Sequence, residues 1–458
     1  MKRSTIYSLN ALTLSLIVLG IFAVINFVGY RHFKRFDFTK QKSFSLAPQS
    51  IQVVKALKDE VRLVGFYEAK EKAMFDDLLN KYKYHSNKIV VEFYDPDKDK
   101  GVAKKYNIKK YRTVVIEKGK REARVEDVTD ENGEEKITNA MIKIEREGTP
   151  VIYFLKGHGE KDIHDQDREG YSVAQEELKD EGYEVKSLAL LESGKIPKDS
   201  RALIIAGPEK PFHPKELELI SDYFKNGGSG MILLDPTDQE NRATGIESFL
   251  LKAGIRAENE AIVDPISTIF GQSAATPVVS EYTGHDVVRG LKEASFYPLA
   301  RHFTILPALP NKHLKVEAVA KTTPNSWAEA GGLKQGKVKY DEGKDRKGPL
   351  NLVVAVSGKW QVGSEKETRL LVFGDSDFSN NRSFEFAGNG NFFLNAVAWL
   401  VGDESLISIR PPKMAGASGK LIMTPRQVQL LFMLSVVVVP LVIVGAGIVV
   451  WLRRRRLA

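Results

Sequence analysis

The chain has 458 residues and no cysteine, which excludes disulfides, thiol redox chemistry and a cysteine nucleophile. Its formal charge of +8 comes from ten basic residues near the two ends, and the body between them is almost neutral, with 57 basic and 59 acidic residues. Because a nucleic-acid-binding protein concentrates basic residues on one face, nucleic acid is not an expected partner. No residue pattern indicates a cofactor.

Two long apolar stretches, 6–28 and 428–452, contain no charged residue. Each exceeds the roughly 20 residues that cross a bilayer, so we expect transmembrane helices at 6–30 and 428–452. The first lacks a small-x-small cleavage site, which favours an anchor over a signal peptide. Arginines at 453–456 favour cytoplasmic termini. These features predict a protein of the inner (cytoplasmic) membrane with both termini cytoplasmic and an extracytoplasmic main domain.

The first part of the body, 44–148, alternates helices and strands. Hydrophobic spacing predicts helices at 48–57, 74–84 and 101–106 and strands at 61–67, 89–94 and 113–117. This β-α-β-α-β order resembles a thioredoxin-like domain. Since no cysteine pair is present, only the scaffold role of that fold remains.

A second α/β block is expected at 150–410. Buried strands are predicted at 151–155, 202–206, 231–234, 350–357 and 368–374, with helices from Pro214 onwards and at 392–401. Strands alternating with helices predict a largely parallel, flavodoxin-like sheet covered on both faces, which the late strands complete. Residues 259–348 form an irregular insertion in this prediction, with a strand at 315–320 and an exposed loop at 323–348. The glycine, serine and lysine content of residues 411–426 predicts a flexible linker.

Four short segments directly follow predicted buried strands. They contain the candidate ligand- or partner-binding residues Gly157, His158, Gly159, Glu160, Gly207, Pro208, Asp235, Asp375, Ser376 and Asp377. The carboxyl ends of parallel strands converge on the usual ligand crevice of an α/β sheet. If the four strands are parallel neighbours, these residues share one edge. Turn geometry alone would also account for several of them.

Two enzymatic interpretations of these residues provide the alternative. The residues that follow His158 include possible metal ligands, although a solvated acidic loop is simpler. These ligands, which would suit a divalent metal, are Glu160, Asp162, His164, Asp165 and Asp167. The segment Gly374-Asp375-Ser376 looks like the nucleophile block of GDS-type hydrolases, with His158 as base. The chain has no G-x-S-x-G elbow. We expect that the protein is not an enzyme and has neither catalytic residues nor a bound metal. The alternative is a membrane-tethered hydrolase or metal-dependent enzyme.

The segment 331–338, GGLKQGKV, differs from a phosphate-binding P-loop at one position. Val338 stands where a serine or threonine would bind Mg²⁺, and no buried strand precedes the glycines. We therefore predict that the chain does not hydrolyse ATP.

Ten short motifs are distributed over nearly the whole chain. They are Asp37-Phe38-Thr39, Ser43-Phe44-Ser45-Leu46, 156–160, 206–208, Gly227-Gly228, 233–236, 373–378, 391–400, Ile407-Ser408-Ile409-Arg410 and 451–455. In these motifs and in their order, the chain resembles the GldG-like family. The resemblance implies an auxiliary, non-ATPase subunit of an ABC-type transport system, linked in some bacteria to gliding motility. The implied partners are a separate ATPase, a permease and membrane lipid. It also implies a glutamine-amidotransferase-like fold without its nucleophile cysteine, acting in substrate or partner recognition.

Overall fold

The computed structural model describes residues 45–129, 132–146, 148–237, 243–330, 339–361 and 366–403, together with Ile17, Gly20, Ile21 and Met433. Within this part of the chain, no helix has both the length and the apolar character needed to cross a bilayer. Apart from those four single positions, the predicted spans and the linker lie outside the described residues. So do the glycine-rich segment 331–338 and the motif residues 37–44, 407–410 and 451–455.

Residues 45–146 form a small α/β domain. Its elements are α1 Pro48–Ala56, β1 Val61–Phe66, α2 Lys72–His85, β2 Ile89–Tyr94, α3 Lys100–Lys105, β3 Thr113–Lys118, β4 Arg121–Val125 and α4 Gly133–Glu145. The strand order is β2-β1-β3-β4, with β1 parallel to β2 and antiparallel to β3. The first six elements lie within two residues of their predicted bounds. The sequence analysis missed β4, whose five residues include three charged ones, and α4.

The second domain begins at β5. Its elements are β5 Val151–Leu155, α5 Ser172–Asp180, β6 Glu184–Leu188, α6 Leu190–Ser193, β7 Ser200–Ala206, α7 Pro214–Lys225, β8 Ser229–Leu233, α8 Ile246–Lys252, β9 Ile255–Val263, β10 Val278–Val279, β11 Ser295–Phe296, β12 Arg301–Ile305, β13 Leu314–Lys321, β14 Trp327–Glu329, β15 Arg346–Lys347, β16 Asn351–Gly358, β17 Thr368–Phe373 and α9 Asn389–Val401. Among the described residues, eleven of these strands form one sheet, and β10 pairs with β11 separately. The chain is therefore a mixed α/β protein with several sheets.

One half of the large sheet is parallel, in the order β17-β8-β7-β5-β6. The strands β5, β7, β8 and β17 contain continuous apolar runs, as expected for parallel strands covered on both faces. The edge strand β6 is instead polar at Glu184, Lys186 and Ser187. Side chains of α5 and α9 pack on one face, and side chains of α7 and α8 pack on the other. The register pairs Leu233 of β8 with both Ala206 and Phe373. Because of this register, β7, β8 and β17 end at the same level.

The other half of the sheet is antiparallel, in the order β15-β14-β9-β12-β16, and β13 also pairs with β16. Most of these strands come from 259–348, where the sequence analysis predicted turns and one strand. The prediction of an exposed loop at 323–348 is wrong at Trp327 and Ala328, which are buried in β14. A three-residue strand is too short to show a hydrophobic period, so the pattern gave no signal there.

Arg146, just after α4, links the two domains. Its Nη2 lies 2.8 Å from Oδ2 of Asp403, which follows α9. Its guanidinium lies over the ring of Tyr183, 4.8 Å from the centroid. The side chains of Arg146 and Asp403 are only 10% and 21% exposed, so water screens their attraction less than at an open surface.

We expect Arg146→Met to lower the free energy of unfolding by about 2 kcal/mol, because Asp403 would lose its cation while methionine still packs on Tyr183. Urea denaturation of the full-length protein in mild detergent measures the change. Asp403→Asn and the double variant complete the cycle. Strictly additive effects of the two substitutions would show that the ion pair contributes nothing.

Candidate functional site

The four predicted strand-end segments lie at one edge of the parallel half-sheet. They follow β5, β7, β8 and β17, which are neighbours and run in the same direction. The structure separates their side chains into two groups. We call Asp235, Asp375, Ser376 and Asp377, with Gly207 against them, the aspartate cluster. His158 and Glu160 lie in a second group around the start of α7.

Asp235 and Ser376 form the centre of the aspartate cluster. The backbone N–H of Ser376 donates to Oδ1 of Asp235 at 2.6 Å, and its hydroxyl donates to Oδ2 at 2.6 Å. Both carboxylate oxygens of Asp235 are thus used by a residue from another strand. Burial raises the pKa of Asp235, although the two hydrogen bonds from Ser376 oppose that rise.

Gly207 makes this pairing possible. Its φ is +64°, a left-handed conformation that favours glycine. A Cβ atom at this position would lie 2.5 Å from Oγ of Ser376 and 3.0 Å from Oδ2 of Asp235. The end of β7 therefore needs a residue without a side chain, for both conformational and steric reasons. Pro208 follows directly.

Asp375 is the most deeply buried carboxyl of the cluster. Its Oδ1 accepts a hydrogen bond from the backbone N–H of Asp377 at 2.8 Å, whereas Oδ2 has no hydrogen-bond partner among the described residues. Burial raises the pKa of Asp375 well above its ordinary value, and the nearby charges of Asp235 and Asp377 raise it further. This arrangement favours a protonated, neutral Asp375.

Lys161 supplies the positive charge of the cluster. Its Nζ lies 2.6 Å from Oδ1 of Asp377 and 3.7 Å from Oε2 of Glu169. Burial by itself lowers the pKa of Lys161, but the hydrogen bond to Asp377 and the surrounding carboxylates outweigh burial and raise it. The cluster therefore keeps a charged lysine beside Asp377.

Three residues that hold the cluster in place were not predicted from the sequence. They are Lys161, Tyr171 and Arg301. The Tyr171 hydroxyl donates to the carbonyl of Ser376 at 2.5 Å, and Nη1 of Arg301 donates to the carbonyl of Asp235 at 3.3 Å. Lys161 directly follows the predicted segment 157–160, a position that could have identified it. Tyr171 and Arg301 gave no signal, because only the folded chain brings them near.

His158 lies in a second, separate environment. Its Nε2 is 3.0 Å from Oε2 of Glu216, and its Nδ1 is 3.5 Å from Oε1 of Glu160. The ring stacks on Phe212 at a centroid distance of 4.2 Å. Glu216 also accepts from the backbone N–H of His213 at the start of α7. These contacts connect the loop after β5 to α7.

The backbone around His158 also joins two strand ends. Its carbonyl accepts hydrogen bonds from the N–H groups of Glu209 and Lys210, at 2.8 and 2.9 Å. Gly159, with a φ of +86°, lies close to the side chain of Glu209. The segment 157–160 therefore packs against the turn that follows β7.

The geometry does not provide the two enzymatic arrangements considered from the sequence. No group of three or more histidine, aspartate or glutamate residues could hold a metal ion within the described ranges. Asp162 instead accepts from the N–H of His164 at 2.8 Å, within its own turn. The Ser376 hydroxyl donates to Asp235, and His158 contacts two glutamates. The nucleophile–base pair of a GDS-type hydrolase is thus not formed.

Three solved structures illustrate the structural likenesses. The mmIFT52 N-terminal domain is 17% identical with a TM-score of 0.40, and the match covers 55% of this chain and 97% of that one. A putative ThuA-like protein from Bacteroides uniformis is 14% identical with a TM-score of 0.34, covering 56% and 93%. The thioredoxin Deadhead from Drosophila melanogaster is 24% identical with a TM-score of 0.16, covering 20% and 89%. At these TM-scores the likenesses carry no argument about fold or function.

Family profiles match both domains. Residues 40–130 match a domain of unknown function. Residues 149–396 match a family described as an ABC-type uncharacterized transport system, and this range contains the aspartate cluster and His158. Among curated proteins, none matches the chain significantly. Because the second match spans more than half of the sequence, the chain belongs to this ABC-type transport family and is an auxiliary component of such a system.

Proposed function

We propose that the chain is a membrane-anchored, non-enzymatic subunit of an ABC-type transport system, whose large domain recognises a substrate or a partner outside the membrane. The match of residues 149–396 to the transport family carries this proposal. The bonding within the aspartate cluster supports a non-enzymatic role, because the Ser376 hydroxyl and the Asp235 carboxylate bind each other.

The membrane part of the proposal rests on the sequence. The uncharged stretches within 6–30 and 428–452 have the length of transmembrane helices. The arginines at 453–456 favour cytoplasmic termini. Both domains would then lie on the extracytoplasmic side of the inner (cytoplasmic) membrane. The two anchors are proposed to contact the permease, and a separate ATPase would supply the energy.

The finer fold and family assignments belong to this proposal. A thioredoxin-like scaffold for 44–148 is supported by the β2-β1-β3-β4 order with a parallel β1–β2 pair. A flavodoxin-like or glutamine-amidotransferase-like domain for 150–410, with an insertion around 259–348, is supported by the five parallel strands with helices on both faces. Membership in the GldG-like subfamily is supported by the order of the sequence motifs.

In this proposal the strand-end residues support the edge of the sheet, and the loops around that edge make the contacts. The aspartate cluster and the contacts of His158 hold the edge of the sheet rigid, because their polar groups bond mainly to one another. The exposed loops around this edge contact the substrate or partner. The rigid edge thus positions the loops that recognise the substrate or partner, at the usual ligand crevice of an α/β sheet.

Affinity purification of the full-length protein in mild detergent, followed by mass spectrometry, tests the transport role. We expect an ATPase and a polytopic permease to co-elute in near-stoichiometric amounts. A variant that lacks residues 428–458 is the matched control, and it should lose the permease if the second anchor forms the contact. Recovery of the full-length chain alone would contradict the proposal.

A further inference from the structure

A surface depression of about 550 Å³ opens beside the edge of the parallel half-sheet. Two loops form it. One precedes α5 and contributes Gln166 and Arg168, with Ser172 and Val173 from the first turn of that helix. The other follows β17 and contributes Asn381 and Arg382. The depression is thus built by loops at the carboxyl ends of β5 and β17, the position where α/β sheets bind ligands. Its volume is within the range of small-molecule sites.

Two arginines give the depression its chemical character. Arg168 and Arg382 both line it and both are exposed. Neither guanidinium has a hydrogen-bond or ion-pair partner among the described residues, whereas most arginines of the small domain pair with glutamates. None of the six described lining residues carries a carboxylate. The described lining residues of the depression therefore include two positive charges and no carboxylate.

The two loops are held together by their backbones. The N–H of Arg382 donates to the carbonyl of Arg168 at 3.1 Å, so the backbones of the two arginines lie side by side. The Asn381 side chain donates to the carbonyls of Asp165 and Asp167, at 2.9 and 2.7 Å, and its Oδ1 accepts from the N–H of Val173 at 2.9 Å. The two arginines thus lie on loops that are hydrogen-bonded to each other.

The backbone N–H groups at the start of α5 already have hydrogen-bond acceptors within the protein. Asn381 already occupies the N–H of Val173, and the carbonyl of Asp165 accepts from the N–H of Ser172 at 3.4 Å. The groups left to contact a ligand are the two guanidinium groups, the Ser172 hydroxyl and the Gln166 amide. Guanidinium groups bind the oxygens of phosphate and carboxylate through paired N–H donors.

We propose that this depression, which we call the arginine site, binds a phosphoryl group. A phosphate monoester carries close to two negative charges at neutral pH, which matches two unpaired guanidinium groups, whereas a carboxylate would neutralise only one. The phosphoryl group belongs either to a soluble phosphate ester or to the headgroup of an acidic phospholipid. The inference rests on the proposed recognition role of the large domain, and its test requires neither the ATPase nor the permease.

The experiment titrates inorganic phosphate into the full-length protein in mild detergent at constant ionic strength, with isothermal calorimetry as the readout. A second arm measures the thermal midpoint in nanodiscs of phosphatidylcholine with or without phosphatidic acid. Both arms compare the wild type with Arg168→Gln, Arg382→Gln and the double variant. Arg256→Gln is the matched control, because Arg256 is an exposed arginine on β9, outside the arginine site. Unchanged urea midpoints show that the variants fold.

We expect saturable phosphate binding by the wild type, about tenfold weaker in each single variant and unchanged in Arg256→Gln. This result supports a soluble phosphate ester. Stabilisation by phosphatidic acid that disappears in the double variant, without binding of free phosphate, supports a lipid headgroup. The proposal is overturned if the double variant responds like the wild type in both arms, or if Arg256→Gln weakens binding equally. The co-purification result is independent of all these outcomes.

Discussion

Replacement of Asp375 by asparagine is expected to make the protein more stable at pH 7, and the gain is expected to shrink as the pH falls towards 4. Asp375 is fully buried, and burial raises its pKa well above the ordinary value of 3.8. Between pH 3.8 and the raised pKa, the folded state keeps a proton that the unfolded chain releases. Stability therefore falls with rising pH in this window, by about 1.4 kcal/mol per pH unit.

The asparagine variant should lack this dependence. Its side-chain oxygen can still accept from the N–H of Asp377, as Oδ1 of Asp375 does at 2.8 Å. An amide cannot ionise, so no buried charge forms as the pH rises. The stability of the variant relative to the wild type therefore increases as the pH rises from 3.8 towards the raised pKa of Asp375.

Urea midpoints between pH 4 and pH 8 measure this effect in the full-length protein. Asp77→Asn in α2 is the matched control, because the same substitution at an exposed aspartate removes no buried charge. We expect the difference between Asp375→Asn and the wild type to grow with pH, and that of Asp77→Asn to stay nearly constant. A pH-independent difference for Asp375→Asn, or a loss of stability at pH 7, would show that Asp375 is not held neutral.

Gly207→Ala is expected to lower the free energy of unfolding by about 3 kcal/mol. About 1 kcal/mol comes from placing alanine at a φ of +64°. The remainder comes from the new Cβ atom, which would lie 2.5 Å from Oγ of Ser376 and displace it from Asp235. A buried carboxylate that loses such a hydrogen bond costs about 1–3 kcal/mol.

Gly194→Ala provides a close control for this substitution. Gly194, after α6, has a φ of +63°, and a Cβ atom there would meet nothing within 4 Å. It should therefore cost only the conformational part, about 1 kcal/mol. Chemical denaturation followed by tryptophan fluorescence gives both values. Equal losses in the two variants would mean that Ser376 moves aside freely and that the aspartate cluster contributes little to stability.

Four of the five strands in the parallel half of the large sheet were predictable because they are buried on both faces, whereas the polar edge strand β6 was not predicted. The run Val151–Leu155 was predicted to the residue, and the strands around 204, 232 and 371 within a few residues. Such strands appear as continuous apolar segments bounded by glycine or aspartate. The antiparallel half was largely missed. Strands such as β14 and β15 are two or three residues long, and their partners, rather than their own residues, define them.

The location of the candidate site at one edge of the sheet was predictable from the sequence, but the contacts between its side chains were not. The sequence indicated that Asp235 and Ser376 each follow a buried strand, and parallel pairing of β8 and β17 brings them to one edge. It did not indicate that they bond to each other across 141 positions, since that depends on the register of the two strands. Lys161 and Tyr171 complete the cluster from a loop and a helix start, where periodicity gives no information.

The position of β17 between β8 and β16 has a consequence for synthesis of the protein. A chain that has emerged from the ribosome only as far as Asp235 contains β5 to β8, yet β8 is then an open edge with apolar faces. At about 5–20 residues per second, the strand that covers this edge follows after a delay of the order of ten seconds. An exposed strand edge of this kind is a site for wrong pairing, so the nascent chain is expected to depend on chaperones during this interval.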